Sequence, residues 1–239
     1  MTLFKQFAGT SLYFVQRPTI SAVDLADAEK RYWAEVSPFI AARKTEFLTG
    51  RVLAEQQLAN FGVANIKLSV AAQGYPIWPE AFVGSISHDR QCYGVALALK
   101  KHQAYLGFDI HFALPLPQIQ RIYSRFTATD SLTVQQATAK TSLALCVFLN
   151  MLWCAKEAAY KTLPVYMQSS GVSAVSLVHV ELICDTTFCF IFNAPASASR
   201  QVLVTMLEGY AVAICAENLN DWLYFPPFLK KTAGLNGTN

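Results

Sequence analysis

The chain has 239 residues, enough for one large domain or two halves with a substantial core. Hydrophobic residues make up 53% and charged residues 15%, against roughly 25% charged in an average globular protein, so much of the surface must be apolar or uncharged polar. A net charge of +3 without a dense Lys/Arg cluster argues against nucleic acid as a partner.

Residues 1–36 are weakly patterned, with one strand expected at Ser11–Gln16, closed by Arg17-Pro18. Ser37-Pro38 reads as a cap followed by proline at the first helical position, and a periodic run through Phe47, Leu48, Val52 and Leu58 predicts a helix that Gly62 stops. Lys44 and Arg51 are seven apart on it, so they share a face that suits one polyanion. Ile66–Val70 reads as a short strand, and the glycine and prolines of Gly74-Tyr75-Pro76-Ile77-Trp78-Pro79 as a rigid loop. Phe82–His88, Tyr93–Leu99 and Tyr105–Ile110 then predict three strands in an antiparallel meander.

Leu114-Pro115-Leu116-Pro117 is the best domain boundary and divides a first half, 1–113, from a second, 114–239. The second half predicts a polar helix at 118–126, a long helix at 134–162, and strands at 174–182, 187–192 and 210–216. Each half thus has a long helix followed by about three short strands. The uncharged run Thr141–Ala155 is shorter than the roughly 20 residues a membrane span needs, so a core helix and no span are expected. The six cysteines form no C-x-x-C, and Lys5 and Gln6 interrupt the apolar start, so no secretory signal is read there. Reduced, mostly buried thiols in a cytoplasmic monomer are expected, with the tail 230–239 disordered.

Three separated pieces carry chemistry. Ser87-His88 ends a strand, alternation sends Asp109 and His111 to one face of another, and helical spacing stacks Trp153, Glu157 and Lys161 on one stripe with Lys156 beside it. Alone, Glu157 and Lys161 make an ordinary i,i+4 pair worth about 0.3–0.5 kcal/mol. Together with Asp109 they suggest a hard divalent cation such as Mg²⁺, which takes one or two carboxylates and completes its shell with water and phosphate oxygens. Serine, histidine, arginine and lysine then suit the phosphates.

At these residues the sequence resembles the Sfp-type 4′-phosphopantetheinyl transferases, most closely the branch associated with enterobactin-like synthases. Five motifs stand in the family's order: Arg43-Lys44-Thr45-Glu46-Phe47-Leu48-Thr49-Gly50-Arg51, Gly74–Pro79, Gly84–His88, Gly107–His111 and Trp153–Lys161. The resemblance implies a pseudo-twofold α+β fold of two similar halves, each a long helix packed on a small, mostly antiparallel sheet. It also implies coenzyme A as co-substrate, Mg²⁺ (or Mn²⁺) as the ion, and an apo acyl or peptidyl carrier protein as the acceptor of the 4′-phosphopantetheine arm. By the same resemblance Asp109, His111 and Glu157 hold the metal, and Glu157 is the candidate general base. Lys161 and Lys156 stabilise the pyrophosphate, and Arg43, Arg51, Ser87 and His88 bind the phosphates. Two residues depart from the pattern. His111 stands where many relatives have a glutamate, and Tyr75 where some have a lysine. His111 also motivates an alternative, a catalytically degenerate coenzyme A or carrier-binding module, and a third reading makes these residues plain surface polarity.

Overall fold

A computed structural model describes residues 2–7, 10–16, 18–63, 65–90, 92–126, 130–184, 186–195 and 198–223, so the expected disorder at 230–239 lies outside the described residues. The chain opens with the hairpin β1 (Thr2–Phe7) and β2 (Thr10–Gln16), then the short helices α1 (Ala22–Arg31) and α2 (Trp33–Val36). Helix α1 begins where Ser21 Oγ accepts from the Asp24 amide at 3.0 Å, a cap the weak hydrophobic pattern hid.

Helix α3 spans Ala41–Asn60, later than the predicted Ser37 cap. Ser37 instead closes α2 through its amide to Trp33 O at 2.9 Å, and Pro38 stands in the turn between the two helices. The two-residue pair β3 (Ser69–Val70) and β4 (Pro76–Ile77) trims the strand expected at 66–70 and gives the proline loop one rung of order. Strands β5 (Phe82–Asp89) and β6 (Cys92–Leu99) form a hairpin, as predicted.

The third predicted strand, β7 (Leu106–Phe112), leaves the meander. After the linker come α4 (Leu116–Phe126), α5 (Ser131–Thr141), α6 (Leu145–Tyr160) and a 3₁₀ segment, Val165–Ala174. Strands β8 (Ser176–Cys184), β9 (Thr187–Ala194), β10 (Ala198–Leu207) and β11 (Tyr210–Ala216) follow, with α7 (Asn220–Leu223) last.

The predicted helix over 134–162 is therefore two helices. Thr138 Oγ1 donates to Val134 O at 2.8 Å and Thr141 Oγ1 to Thr138 O at 3.4 Å, and Ser142 turns left-handed at φ +54°. Such local side-chain bonds compete with the helix ladder, so a Thr/Ser cluster can end what the apolar pattern would continue.

The architecture is α+β. One antiparallel sheet runs β1-β2-β6-β5 and a second β7-β11-β10-β9-β8. Strand β7 pairs with β11 rather than β6, because Phe108 and Ile110 face the first sheet while Gly107 faces α6, which only a strand between the two layers can do. Four layers result. Leu53, Ala54 and Leu58 of α3 pack on Val95 and Leu97 of β6, and Leu12, Ala96 and Ala98 meet Phe108, Ile110 and Ile214 between the sheets. Phe148, Leu152 and Ala155 of α6 cover the second sheet through Ala211, Ala213 and Phe190. All six cysteines are free, and Cys92, Cys154, Cys189 and Cys215 are buried. No helix among the described residues is long and apolar enough to cross a membrane.

Candidate active site

The edge of each sheet ends at the same place, where β5 lies against β7. Alternation on β5 points Ser85, Ser87 and Asp89 at β7 and leaves Gly84, Ile86 and His88 facing α3. Ser85 Oγ donates to Phe108 O at 3.2 Å, and Ser87 Oγ donates to Asp109 Oδ1 at 2.7 Å while accepting from the Ile110 amide at 3.2 Å. These hydroxyls supply hydrogen bonds that two unpaired sheet edges would otherwise lack.

Helix α6 closes the group from the other side. Lys161, just past its last turn, donates from Nζ to Asp109 Oδ1 at 2.7 Å and to Phe108 O at 3.0 Å. Close packing makes this reach possible, since a Cβ on Gly107 would stand 1.9 Å from Ala158 O. Strand and helix run antiparallel, so Asp109 faces Lys161 and His111 faces Trp153, whose rings meet at 6.4 Å. Glu157 lies one turn from each, between them. Burial first, and then the Asp109 charge, push the Glu157 carboxyl above the usual glutamate range, with Lys161 and His111 opposing.

His111 and Asp89 form a second contact at 3.3 Å from Nδ1 to Oδ2, and the Phe112 amide donates to the same Asp89 oxygen at 2.6 Å. Burial alone would raise the Asp89 carboxyl, but those two hydrogen bonds hold it below the usual range. His111 Nε2 is buried and has no hydrogen-bond partner.

Above this group opens a cleft of about 1090 Å³. Arg43 and Arg51 of α3, His88 of β5 and Lys161 bring positive charge to its wall. Arg43 Nη1 is 3.3 Å from His88 Nε2, so that nitrogen is the acceptor and the imidazole is neutral in this contact. Burial lowers the His88 pKa, Glu46 opposes that, and Arg43 and Lys161 reinforce it. Arg51, 3% exposed, donates from Nη2 to Gly74 O at 2.9 Å and so ties the proline loop to α3. Burial brings its pKa down to about 10. The loop's Trp78 ring lies over Gly84, where a Cβ would come within 2.6 Å of it, so two of the sequence motifs are one packing unit.

The predicted residues do not all gather here. Arg43, Arg51, Ser87, His88, Asp109, Glu157 and Lys161 stand in or under the cleft, with His111 beside Glu157. Lys156 does not. It is fully buried on another face of α6, ion-paired to Asp130 Oδ2 at 2.5 Å and donating to Val175 O at 2.6 Å. One residue's step turns a helical side chain by about 100°, which carries Lys156 away from the stripe of Glu157. Lys44 also leaves Arg51, since it pairs with Glu29 of α1 at 2.8 Å.

Sequence reasoning missed the opposite wall, built by Tyr160, Leu163, Val165, Tyr166 and Gln168. No periodicity marks that 3₁₀ segment; its ties are a Tyr160 hydroxyl donating to Gln168 O at 3.0 Å and Gln168 donating to Leu163 O at 2.8 Å. Asp89 and Asp130 were also missed, because their partners, His111 and Lys156, lie far along the chain.

Among the described residues no three His, Cys, Asp or Glu side chains stand close enough together to hold a metal ion. The expected triad of Asp109, His111 and Glu157 is held open, with the Lys161 ammonium on Asp109 and His111 drawn to Asp89. The site still offers two mutually repelling carboxylates and a buried imidazole nitrogen without a partner. The two carboxylates without the imidazole would match the protein's share of a divalent cation's shell, which water and phosphate oxygens would complete.

Residues 33–98 match the family model of the 4′-phosphopantetheinyl transferase N-terminal domain. The chain is 30% identical over 192 residues to enterobactin synthase component D of Salmonella austin, covering 75% of this chain and 74% of that protein. It is 29% identical over 161 residues to the component D of Escherichia coli, 65% of this chain and 71% of that one. With the 4′-phosphopantetheinyl transferase PptT of Mycobacterium tuberculosis it shares 30% over 125 residues, 51% and 52% of the two chains.

Proposed function

This chain belongs to the 4′-phosphopantetheinyl transferases, in the branch of enterobactin synthase component D, and from that premise we propose that it moves the 4′-phosphopantetheine arm of coenzyme A onto a carrier-protein serine. The carrier's hydroxyl oxygen bonds to the pantetheine-side phosphorus of the pyrophosphate. The bond from that phosphorus to the bridging oxygen breaks, and adenosine 3′,5′-bisphosphate leaves. Such a reaction needs cations against the phosphate oxygens and an acceptor for the hydroxyl proton.

One observation carries the reading. A raised-pKa glutamate, a carboxylate and a lysine meet under a cleft walled by two arginines and a histidine. Glu157 takes the serine proton, directly or through water, and its raised pKa brings it nearer the operating pH. Lys161 spans from Asp109 to the pyrophosphate, while Arg43 and His88 face the nucleotide phosphates and Ser87 holds Asp109 in place. Arg51 acts partly through the loop it anchors. Asp109 and Glu157 would hold Mg²⁺, which supplies the further positive charge that a pyrophosphate reaction needs.

The halves 1–113 and 114–239 are read as similar units. Each sheet carrying one long helix, α3 or α6, supports this, although β7 crosses to the second sheet. The test is intact mass of apo carrier proteins incubated with this protein, coenzyme A and Mg²⁺. A mass gain of one phosphopantetheine is expected, and none across fatty-acid, polyketide and siderophore carriers would overturn the reading. Chelation by EDTA should abolish the gain, and full modification in protein shown metal-free by elemental analysis would remove the metal from the scheme.

A further inference from the structure

Three side chains on one wall of the cleft share a single hydrogen-bonding corner. Arg43 Nη1 stands 3.3 Å from His88 Nε2 and 3.4 Å from Glu46 Oε2, and that oxygen is 3.9 Å from the same His88 nitrogen. All three line the cleft. Arg43 and Glu46 are neighbours on one turn of α3, and the His88 ring is held by stacking on Tyr93 of β6, 5.5 Å between centroids. With the imidazole neutral, the guanidinium and the carboxylate cancel, so the corner carries no net charge while the cleft is empty.

A phosphate alters that balance. Its oxygens only accept hydrogen bonds, so it draws on the Arg43 N–H groups that now serve His88 Nε2 and Glu46. Nε2 is then a bare lone pair beside two anions, the carboxylate and the phosphate. A proton there turns a repulsion into a donor. Burial holds the free ring below the usual histidine range; of the charged groups that face it, Glu46 of α3 and Asp89 of β5 raise the value, while Arg43 of α3 and Lys161 past α6 lower it. A phosphate on Arg43 offsets one of the lowering cations and adds an anion, so both changes push the ring upward.

We propose that His88 takes up one proton from solvent as a phosphate seats on Arg43, and that Glu46 is the positioning residue that holds the imidazolium so formed. The inference rests on the reading of the cleft as a nucleotide site. It deepens that reading by giving Glu46 a part, as the anion on Arg43 when the cleft is empty and the counter-charge of His88 when it is filled. Linkage fixes the sign. The free ring's pKa is the lower and the bound ring's the higher, so affinity is greatest below the free value, falls between the two, and levels off above the bound one.

The experiment titrates adenosine 3′,5′-bisphosphate into the metal-free full chain by calorimetry, in buffers of different ionisation enthalpy. At pH about 7.5 a phosphate whose second pKa is about 6 is already ionised, so a proton taken up goes to the protein. Wild type should take up about half a proton or more, and its affinity should fall between pH about 7 and 8.5. H88Q, whose amide does not titrate, should bind with no uptake and a flat profile. E46Q keeps a hydrogen-bond partner for Arg43 but loses the charge, so the fall should move to lower pH by about half a pH unit or more. A merely structural role for Glu46 would weaken binding alike at every pH. Nitrogen NMR of ¹⁵N-histidine-labelled wild type should show ring 88 pass from neutral to doubly protonated as the bisphosphate is added, a readout that needs no variant to fold. Binding without proton uptake, uptake that survives in H88Q, an unmoved profile in E46Q, or a ring that stays neutral overturns the inference. Absence of any bisphosphate binding to wild type also overturns it, while carrier modification, measured separately by mass, still decides the transferase reading.

Discussion

Glu157 shows how a single side chain trades stability for chemistry. Burial and the neighbouring Asp109 both oppose its charge, so at neutral pH the ionised carboxylate costs the folded state free energy that an amide would not. Glu157→Gln in metal-free protein should therefore melt at a higher temperature at neutral pH and lose carrier modification. Scanning calorimetry with the mass assay checks both halves. A variant that is less stable, or that still turns over, would show that Glu157 is not the strained base. At this scale a motif could name Asp109, Glu157 and Lys161 but also named Lys156, which packs elsewhere, and it could not name Asp89, because nothing along the chain links it to His111.

Strands and helices decide whether those side chains can meet. Gly107 lets β7 lie against α6, and Gly107→Ala would drive its methyl into Ala158 O, a contact of 1.9 Å, and against Thr162 Cγ2 at 2.9 Å. Backing the strand off should cost about 1–3 kcal/mol and part Asp109 from Lys161, so denaturant midpoint and transfer rate should fall together. Retained activity at wild-type stability would place the glycine's role elsewhere. The buried Lys156–Asp130 pair plays a different part, joining α6 to the start of α5 and, through Val175 O, to the end of the 3₁₀ segment that walls the cleft. Lys156→Met strands the Asp130 carboxylate and should cost about 3–5 kcal/mol. A loss under about 1 kcal/mol, the size of an exposed pair, would mean that Asp130 finds another partner.

For the molecule as a whole, low charge governs how a partner arrives. With 15% charged residues and a net +3, long-range steering is weak, and exposed Tyr166, Val165 and Ile77 surround the cleft or its loop. Carrier affinity should fall only modestly between about 50 and 200 mM salt, as read by calorimetry, and a drop of several orders of magnitude would point to a charged interface. The chain's linear order was enough to reveal a long helix followed by strands in each half, the β5–β6 hairpin and the stripe of Glu157 and Lys161, because alternation and helical spacing are local, whereas the α+β class came from the family resemblance. It did not reveal β10, whose run Val202-Leu203-Val204-Thr205-Met206-Leu207 is apolar on both faces and so has no alternation to read. Nor could it place β7 with β11, divide the long helix at Ser142, or send Lys156 to Asp130, since each depends on what packs against the segment. The residue types of the site are a property of the sequence, but their convergence depends on tertiary packing, where Ser87 and Asp109, 22 apart, and Asp109 and Lys161, 52 apart, meet because two sheet edges and one helix end share a single buried seam.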